Sequence, residues 1–334
     1  MRVEYQILCA VALDLALGDP RWLPHPVRGI GRLTGCLERL GRRWLGFWPR
    51  IAGLAVALAV YLIVGLAAWG GIRLAGFVAT GTFSGPLWAE KCACPLADLV
   101  SIVVIYWAIA PRDLLRHSMA VYRALAAGEL VEARRRVAQI VGRDTAGLDE
   151  AEIVRAAVES VAESTVDGVT APLVFAAVAG PVGAIVYRAV NTLDSMLGHR
   201  EEPYAEFGWA AARIDDLANY VPARLTAPLV CLAALVLRRR PWAALKVLAR
   251  DGRRHPSPNA GLAEAAAAGA LGIRLGGRNY YDGRPSDGPT LGDPLVPLSP
   301  RHIVAANRLM LATTGLVLAL LLPLRMAVVH YLGI

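Results

Sequence analysis

Apolar residues fall into long uncharged runs separated by clusters of charge. Residues 51–72, IAGLAVALAVYLIVGLAAWGGI, are 22 consecutive uncharged positions fenced by Arg50 and Arg73. At about 1.5 Å of rise per residue, such a helix is about 33 Å long and crosses the hydrocarbon core of a bilayer. Residues 309–324, between Arg308 and Arg325, form a second run, and residues 169–187 a third of 19 positions. Pro172, Gly180, Pro181 and Gly183 interrupt the third. A broken helix is predicted there, with freed backbone groups that must be met by protein or a wet cavity. The apolar stretches 99–110 and 225–237 are short for a span, and 7–17 reads as a membrane segment weakened by Glu4 and Asp14. The 99–110 stretch can extend back to position 87 only if Glu90, Lys91 and Asp98 are sheltered.

Between these runs the pattern is amphipathic. Residues 113–141 read as a helical hairpin in which Arg134, Arg135 and Arg136 oppose Glu129 and Glu132. Residues 148–166 read as an amphipathic helix with Val158 and Val161 inside, and 204–220 as a polar-faced helix stopped by Pro222. The prolines at 20, 24 and 26 predict a loop, and GTFSGP at 81–86 a glycine-rich turn. Residues 261–275 predict a helix whose Gly261, Ala265 and Gly269 give the small-residue spacing of close helix packing. Residues 276–300 read as a loop rich in Gly, Pro and Asp. The expected fold is all-α: a polytopic integral membrane helical bundle with four to five membrane segments, at least one broken or re-entrant, plus cytoplasmic amphipathic helices. It is expected to be a single membrane-embedded domain over 1–334.

Composition agrees: 56% of residues are hydrophobic and 19% charged, with a mean hydropathy of +0.45. The net charge of +8 fits loop arginines that fix topology, and no aromatic-interleaved basic patch points to nucleic acid. The five cysteines include a lone C-x-C at Cys92 and Cys94, too little for a metal site. The N-terminal apolar run lacks a basic leader and a cleavage motif, so it is expected to be a retained segment.

The chemistry is concentrated around the broken run. Glu159, Glu163 and Asp167 stand four apart, which on a helix makes one acidic stripe. Its mutual repulsion is one that a bound Mg²⁺ would reverse. YRAVNTLDSMLGHR then brings Arg188, Asn191, Asp194, Ser195 and His199, and FGWAAARIDDLANYVPARLT brings Arg213, Asp215, Asp216, Asn219 and Arg224. Carboxylates near membrane depth imply a divalent cation, and interleaved arginines imply phosphate. Asp19, His25 and Arg28 on the proline-stiffened loop, and Asn259 before the alanine-rich helix, also fit phosphate handling. No Walker P-loop, G-x-S-x-G or H-E-x-x-H motif occurs.

The stretches LDLALGDPRWLPHPVRGIGRL, GRDTAGLDEAEIVRAAVESVAESTVDGVTAPL, YRAVNTLDSMLGHR, FGWAAARIDDLANYVPARLT and PSPNAGLAEAAAAGALGIRLGG strongly resemble, in order, the adenosylcobinamide-phosphate synthase family of cobalamin biosynthesis. The resemblance covers about 14–293. It implies a membrane ligase that joins a corrin side-chain carboxylate of adenosylcobyric acid to the amine of aminopropanol or its phosphate, with ATP and Mg²⁺. One departure is Glu163-Ser164, where the family reads Glu-Asn; serine lacks the carbonyl acceptor of asparagine.

On this reading Glu159, Glu163, Asp167 and Asp194 hold the metal. Arg188, Arg213 and Arg224 hold phosphates, with Asp19, His25, Arg28, Asn219 and Asn259 in substrate binding. Asp215 or Asp216 takes a proton from the incoming ammonium, and Glu163 and Asn191 complete the catalytic set. ATP places the site on the cytoplasmic face of the inner membrane, the side to which positive-inside counting assigns residues 238–254. For both flanking motifs to share that face, the 169–187 run is expected to dip in and return. The rival readings are a membrane prenyltransferase, whose Asp-rich motifs NTLDS and RIDDLAN approach only loosely, and a transporter, against which the lack of repeats weighs.

Overall fold

The computed structural model describes residues 1–20, 25–81, 94–199, 201 and 203–332. Positions 21–24 of the proline loop, all of the glycine-rich turn after Gly81, Cys92 and the 87–93 part of the backward extension of the 99–110 run lie outside them; the helix does extend back to Pro95, with Asp98 sheltered by the Met1 amino group and Gln6. The chain divides into two compact units, each assembled from separated segments: Met1–Ala110, Ala171–Ala218 and Leu320–Ile334 in the first, Pro111–Thr170 and Asn219–Ala319 in the second.

The first unit holds α1 (Val3–Leu17), α2 (Pro26–Leu45), α3 (Pro49–Thr80), α4 (Pro95–Ala108), α8 (Ala171–Leu197), α9 (Trp209–Ala218) and the end of α13 (Arg301–Leu332). Prolines at the first position of α2, α3 and α4 start those helices where a missing N–H costs nothing. The core joins Ala52, Val56, Ala57 and Val60 of α3 to Ala189, Leu193 and Leu197 of α8, with Ile30 of α2 and Phe207. The alanines among them let the helices approach closely, which matters where lipid supplies no hydrophobic drive between helices. At Gly53 a Cβ would stand 1.8 Å from the carbonyl oxygen of Phe207, so only glycine fits.

The expected break in the 169–187 run is present. Within α8, Ala179 and Gly180 leave helical geometry, Gly180 at φ +65°. Pro181 lacks the N–H that would have bonded the carbonyl of Ala177. Arg325 of α13 takes that role: its Nη1 donates to Ala177 O at 3.0 Å, while its Nε lies 3.1 Å from Oε1 of the buried Glu4 in α1.

The second unit holds α5 (Pro111–Ala126), α6 (Leu130–Val137), α7 (Glu150–Thr165), a π-helical turn (Val166–Thr170), α10 (Tyr220–Val236), α11 (Pro241–Asp251), α12 (Ala260–Leu271), a two-stranded sheet and most of α13. As expected, α5 and α6 form the hairpin, with Glu132 bonded to Arg135 and Arg136. Two reciprocal bonds form a capping box that starts α7: Glu152 N to Asp149 Oδ1 at 2.8 Å, and Asp149 N to Glu152 Oε2 at 2.9 Å. Val158 and Val161 are buried. The alanine-rich α12 packs against α7, α10 and α11. Its small-residue stripe works as the spacing predicts: a Cβ at Gly269 would meet Ala243 O at 2.6 Å and Ala244 Cα at 2.7 Å.

Three expectations are corrected. The 276–300 loop contains an antiparallel hairpin, β1 (Leu275–Tyr281) and β2 (Arg284–Leu291). Asp282 and Gly283, at φ +50° and +74°, make the left-handed two-residue turn that suits strand twist. Pro222 does not stop a helix; it sits in the first turn of α10, where its absent N–H has no intrahelical acceptor. The acidic stripe on α7 ends at Glu163, because Asp167 falls in the π turn, where the i→i+5 pattern breaks the four-residue register.

Among the described residues, three helical stretches are long and apolar enough to cross a membrane: Pro49–Thr80, Glu150–Leu197 and Arg301–Leu332. The pair α9 and α10, bent by 47°, makes a fourth if it is one span. The fold is therefore a helical membrane bundle carrying one small sheet.

Candidate functional site

In the second unit the hairpin, α7, α12 and the 140–143 segment enclose a cavity of about 340 Å³. Its walls are stitched by charge. Arg143 donates from Nη2 to Glu159 Oε2 at 2.5 Å and from Nη1 to Asn279 Oδ1. Arg155 donates to the carbonyls of Gly276 and Arg278, and Glu159 Oε1 accepts from Gly276 N at 2.7 Å. Asp144 N donates to Tyr280 O and its Oδ2 accepts from Gly283 N, both at 2.8 Å, which ties down the hairpin turn. Glu159, Glu163 and Glu264 all line the cavity. Glu264 is only 6% exposed. Burial first, then the nearby Glu163 and Glu159, hold its carboxyl well above the usual carboxylate range. On α12, about 18 Å long and too short to span, it is the single charge among alanines and glycines.

Also in this unit, Arg224 stacks 3.4 Å from the centroid of the Tyr220 ring and donates to Asn259 Oδ1 at 3.2 Å. Asn259 occupies the position before α12 as expected, but its side chain does not cap the helix; Ser257 Oγ accepts from Ala260 N instead. Asn219 is buried at the bend before α10.

The first unit gathers a second group. Asp194 of α8 faces Asp216 of α9 and His199. The buried Tyr61 hydroxyl of α3, which has no hydrogen-bond partner among the described residues, faces Asp215 and Asp194. Arg213 is exposed, 3.9 Å from Asp216. Arg188 and Asn191 lie half-buried on α8.

A separate cavity of about 370 Å³ in the same unit is lined by His25, Arg28, Arg32 and Trp107. His25 caps α2 by accepting Val27 N on Nδ1 at 3.3 Å. That leaves the ring proton on Nε2, 3.4 Å from Asp19 Oδ1. Among the described residues the buried Trp107 Nε1 has no hydrogen-bond partner. These N–H groups and two arginines suit an anion.

The expected metal set therefore divides. Glu159 and Glu163 share the cavity, Asp167 is not in its wall, and Asp194 belongs to the other unit. Among the described residues no group of three His, Cys, Asp or Glu side chains gathers to hold a metal ion. Both oxygens of Glu159 already accept hydrogen bonds. Mg²⁺ commonly keeps its waters and binds through one or two carboxylates plus substrate phosphates, and the exposed Glu163 fits that mode. Sequence reasoning missed Arg143, Arg155, Asn279 and Glu264; the lone acid in an alanine run was the available signal for the last.

A family model described as CobD/Cbib protein matches residues 7–310. The chain belongs to the CobD/Cbib family. A cobalamin biosynthesis protein CobD of Geobacter metallireducens is 50% identical over 293 residues, 87% of each chain. One from Leptospira interrogans is 44% identical over 312 residues, 93% of this chain and 94% of that one. One from Pelobacter propionicus is 46% identical over 309 residues, 91% and 90%. No solved structure matches. Family membership makes cobalamin biosynthesis the setting of the site.

Proposed function

We propose that this CobD/Cbib family member is an ATP-dependent ligase. It joins a side-chain carboxylate of adenosylcobyric acid to the amine of aminopropanol or aminopropanol phosphate, at the cytoplasmic face of the cell membrane. The observation that carries the reading is the polar cavity of the second unit, where three glutamates and Arg143 meet, in a chain of this family. A carboxylate is a poor electrophile. Phosphoryl transfer from ATP makes it an acyl phosphate, and attack by the amine forms the C–N bond and releases phosphate. Such chemistry rests on positioning and on cations over developing charge.

Mg²⁺, arriving with the nucleotide and held by Glu163, would neutralise phosphate charge. The arginine and N–H groups around His25, Arg28 and Trp107 suit a phosphate, as do Arg188, Arg213 and Arg224. Asp215 and Asp216, expected to take the ammonium proton, belong to the first unit with Asp194 and do not line this cavity, so no step is assigned to them here. The test is purified protein in lipid nanodiscs with ATP, Mg²⁺, adenosylcobyric acid and either amine. The expected result is amide product by mass spectrometry, with phosphate release that needs both the corrinoid and the amine. Turnover of a prenyl diphosphate, or corrinoid-independent transport into liposomes, would overturn the reading.

A further inference from the structure

We propose that Glu264 anchors the ammonium group of the small amine co-substrate inside the cavity of the second unit, an assignment that rests on the ligase reading. Glu264 lines the cavity yet is only 6% exposed. No hydrogen bond or ion pair reaches its carboxyl from the described residues. A carboxyl kept for structure takes backbone donors, as Glu159 takes Gly276 N; Glu264 takes none.

Its surroundings select a cation. Glu159 and Glu163 share the wall. The guanidinium of Arg143 is committed to Glu159 and Asn279, and that of Arg155 to Gly276, Arg278 and Asn279. His255, also in the wall, accepts Ser257 N on Nδ1 at 3.1 Å. Around Glu264, Glu159 and Glu163 add negative charge, and Arg143, already bonded to Glu159, offsets it only in part. A primary ammonium presents three N–H donors, and its charge offsets the burial and the neighbouring Glu163 and Glu159 that otherwise keep the Glu264 carboxyl protonated, so the amine binds the ionised form. Size agrees, because about 340 Å³ is at the low end of drug-sized pockets. It admits an amino alcohol of a few heavy atoms and excludes a corrin ring.

The test uses full-length protein in nanodiscs and two readouts. The first is the initial rate against amine concentration for wild type, Glu264→Gln and Glu264→Asp. Glu264→Gln is expected to raise KM for the amine at least tenfold while KM for ATP stays within twofold, and Glu264→Asp to recover part of the loss. The second is the thermal shift given without nucleotide by aminopropanol, with propanediol as the uncharged control. Aminopropanol should raise the melting temperature of wild type and not of Glu264→Gln, and the diol should do neither.

An unchanged amine KM in Glu264→Gln overturns the assignment and leaves the ligase intact. Absence of product from wild type with either amine overturns the ligase reading instead, and the thermal shift then decides the anchor alone. A shift given by Mg²⁺ but not by aminopropanol, and lost in Glu264→Gln, assigns the carboxyl to a metal and overturns the proposal. Should Glu264→Gln fail to fold, equal shifts of wild type by amine and diol overturn it, and an amine-only shift that is reduced in Glu264→Asp and lost in Glu264→Ala supports it.

Discussion

Arg143 and Glu159 join the loop before α7 to the β-hairpin, so breaking them tests how the cavity is held. The pair is 2.5 Å apart with side chains 6% and 13% exposed. Removing one partner of a buried pair costs about 3–5 kcal/mol, because the other charge stays buried. Glu159 would keep Gly276 N at 2.7 Å and Arg155 Nη1 at 3.9 Å, which puts Arg143→Met near the lower end, at about 3 kcal/mol. Glu159→Gln keeps an acceptor for Gly276 but strands the Arg143 cation, at about 2 kcal/mol. Because the two groups are in direct contact, the double variant costs less than the sum by about 2 kcal/mol, within the usual coupling of contacting residues. The assay is thermal unfolding in one detergent at one pH. About 1 kcal/mol moves the melting temperature by about 2–4 °C in a domain of about 150–250 residues. Additivity within about 0.5 kcal/mol would mean that the two side chains do not meet, and the account of the cavity wall would fail with them.

Arg325→Met is expected to cost about 3–5 kcal/mol by stranding the buried Glu4 and the Ala177 carbonyl, and adding Glu4→Gln should restore part of the melting temperature; no recovery refutes the pairing. Gly269→Leu forces a side chain onto the backbone of Ala243 and Ala244 and should lower stability by more than about 2 kcal/mol, whereas Gly71→Ala, with nothing within 4 Å, should be neutral or stabilising. The Asp251 carboxyl is 1% exposed, and its hydrogen bonds from Arg250, then from Gly292 N, hold its pKa below the ordinary value of 3.8. The stability it adds is complete above that value and is lost as pH falls through the folded pKa. Asp251→Asn should therefore lower the melting temperature at pH 7 and flatten its decline below pH 4; an unchanged acid limb refutes this.

The long runs 51–72 and 309–324 were legible because an uncharged stretch of that length has few alternatives to a spanning helix. The break at Gly180–Pro181 was equally plain, since proline removes a donor wherever it falls. The hairpin was hidden because half its residues are Gly, Pro and Asp, which read as loop, although Asp282-Gly283 between Tyr281 and Arg284 was a turn signal. Asp167 was misplaced because four-residue spacing assumes an unbroken α register, and nothing in the composition announces a π turn. Arg143 and Arg155 went unnoticed because their partners lie more than a hundred positions away on the hairpin.

The clamp of Arg325 on Glu4 and on the carbonyl of Ala177 has a consequence for how the protein is made. At about 5–20 residues per second, Arg325 leaves the ribosome about 15–60 s after Glu4. Through that interval the Glu4 carboxylate, and through about its second half the Ala177 carbonyl, are without their cation, so water or the insertion machinery must shelter them. The first unit to begin is thus the last to close, and its completion waits on the arrival of one late guanidinium.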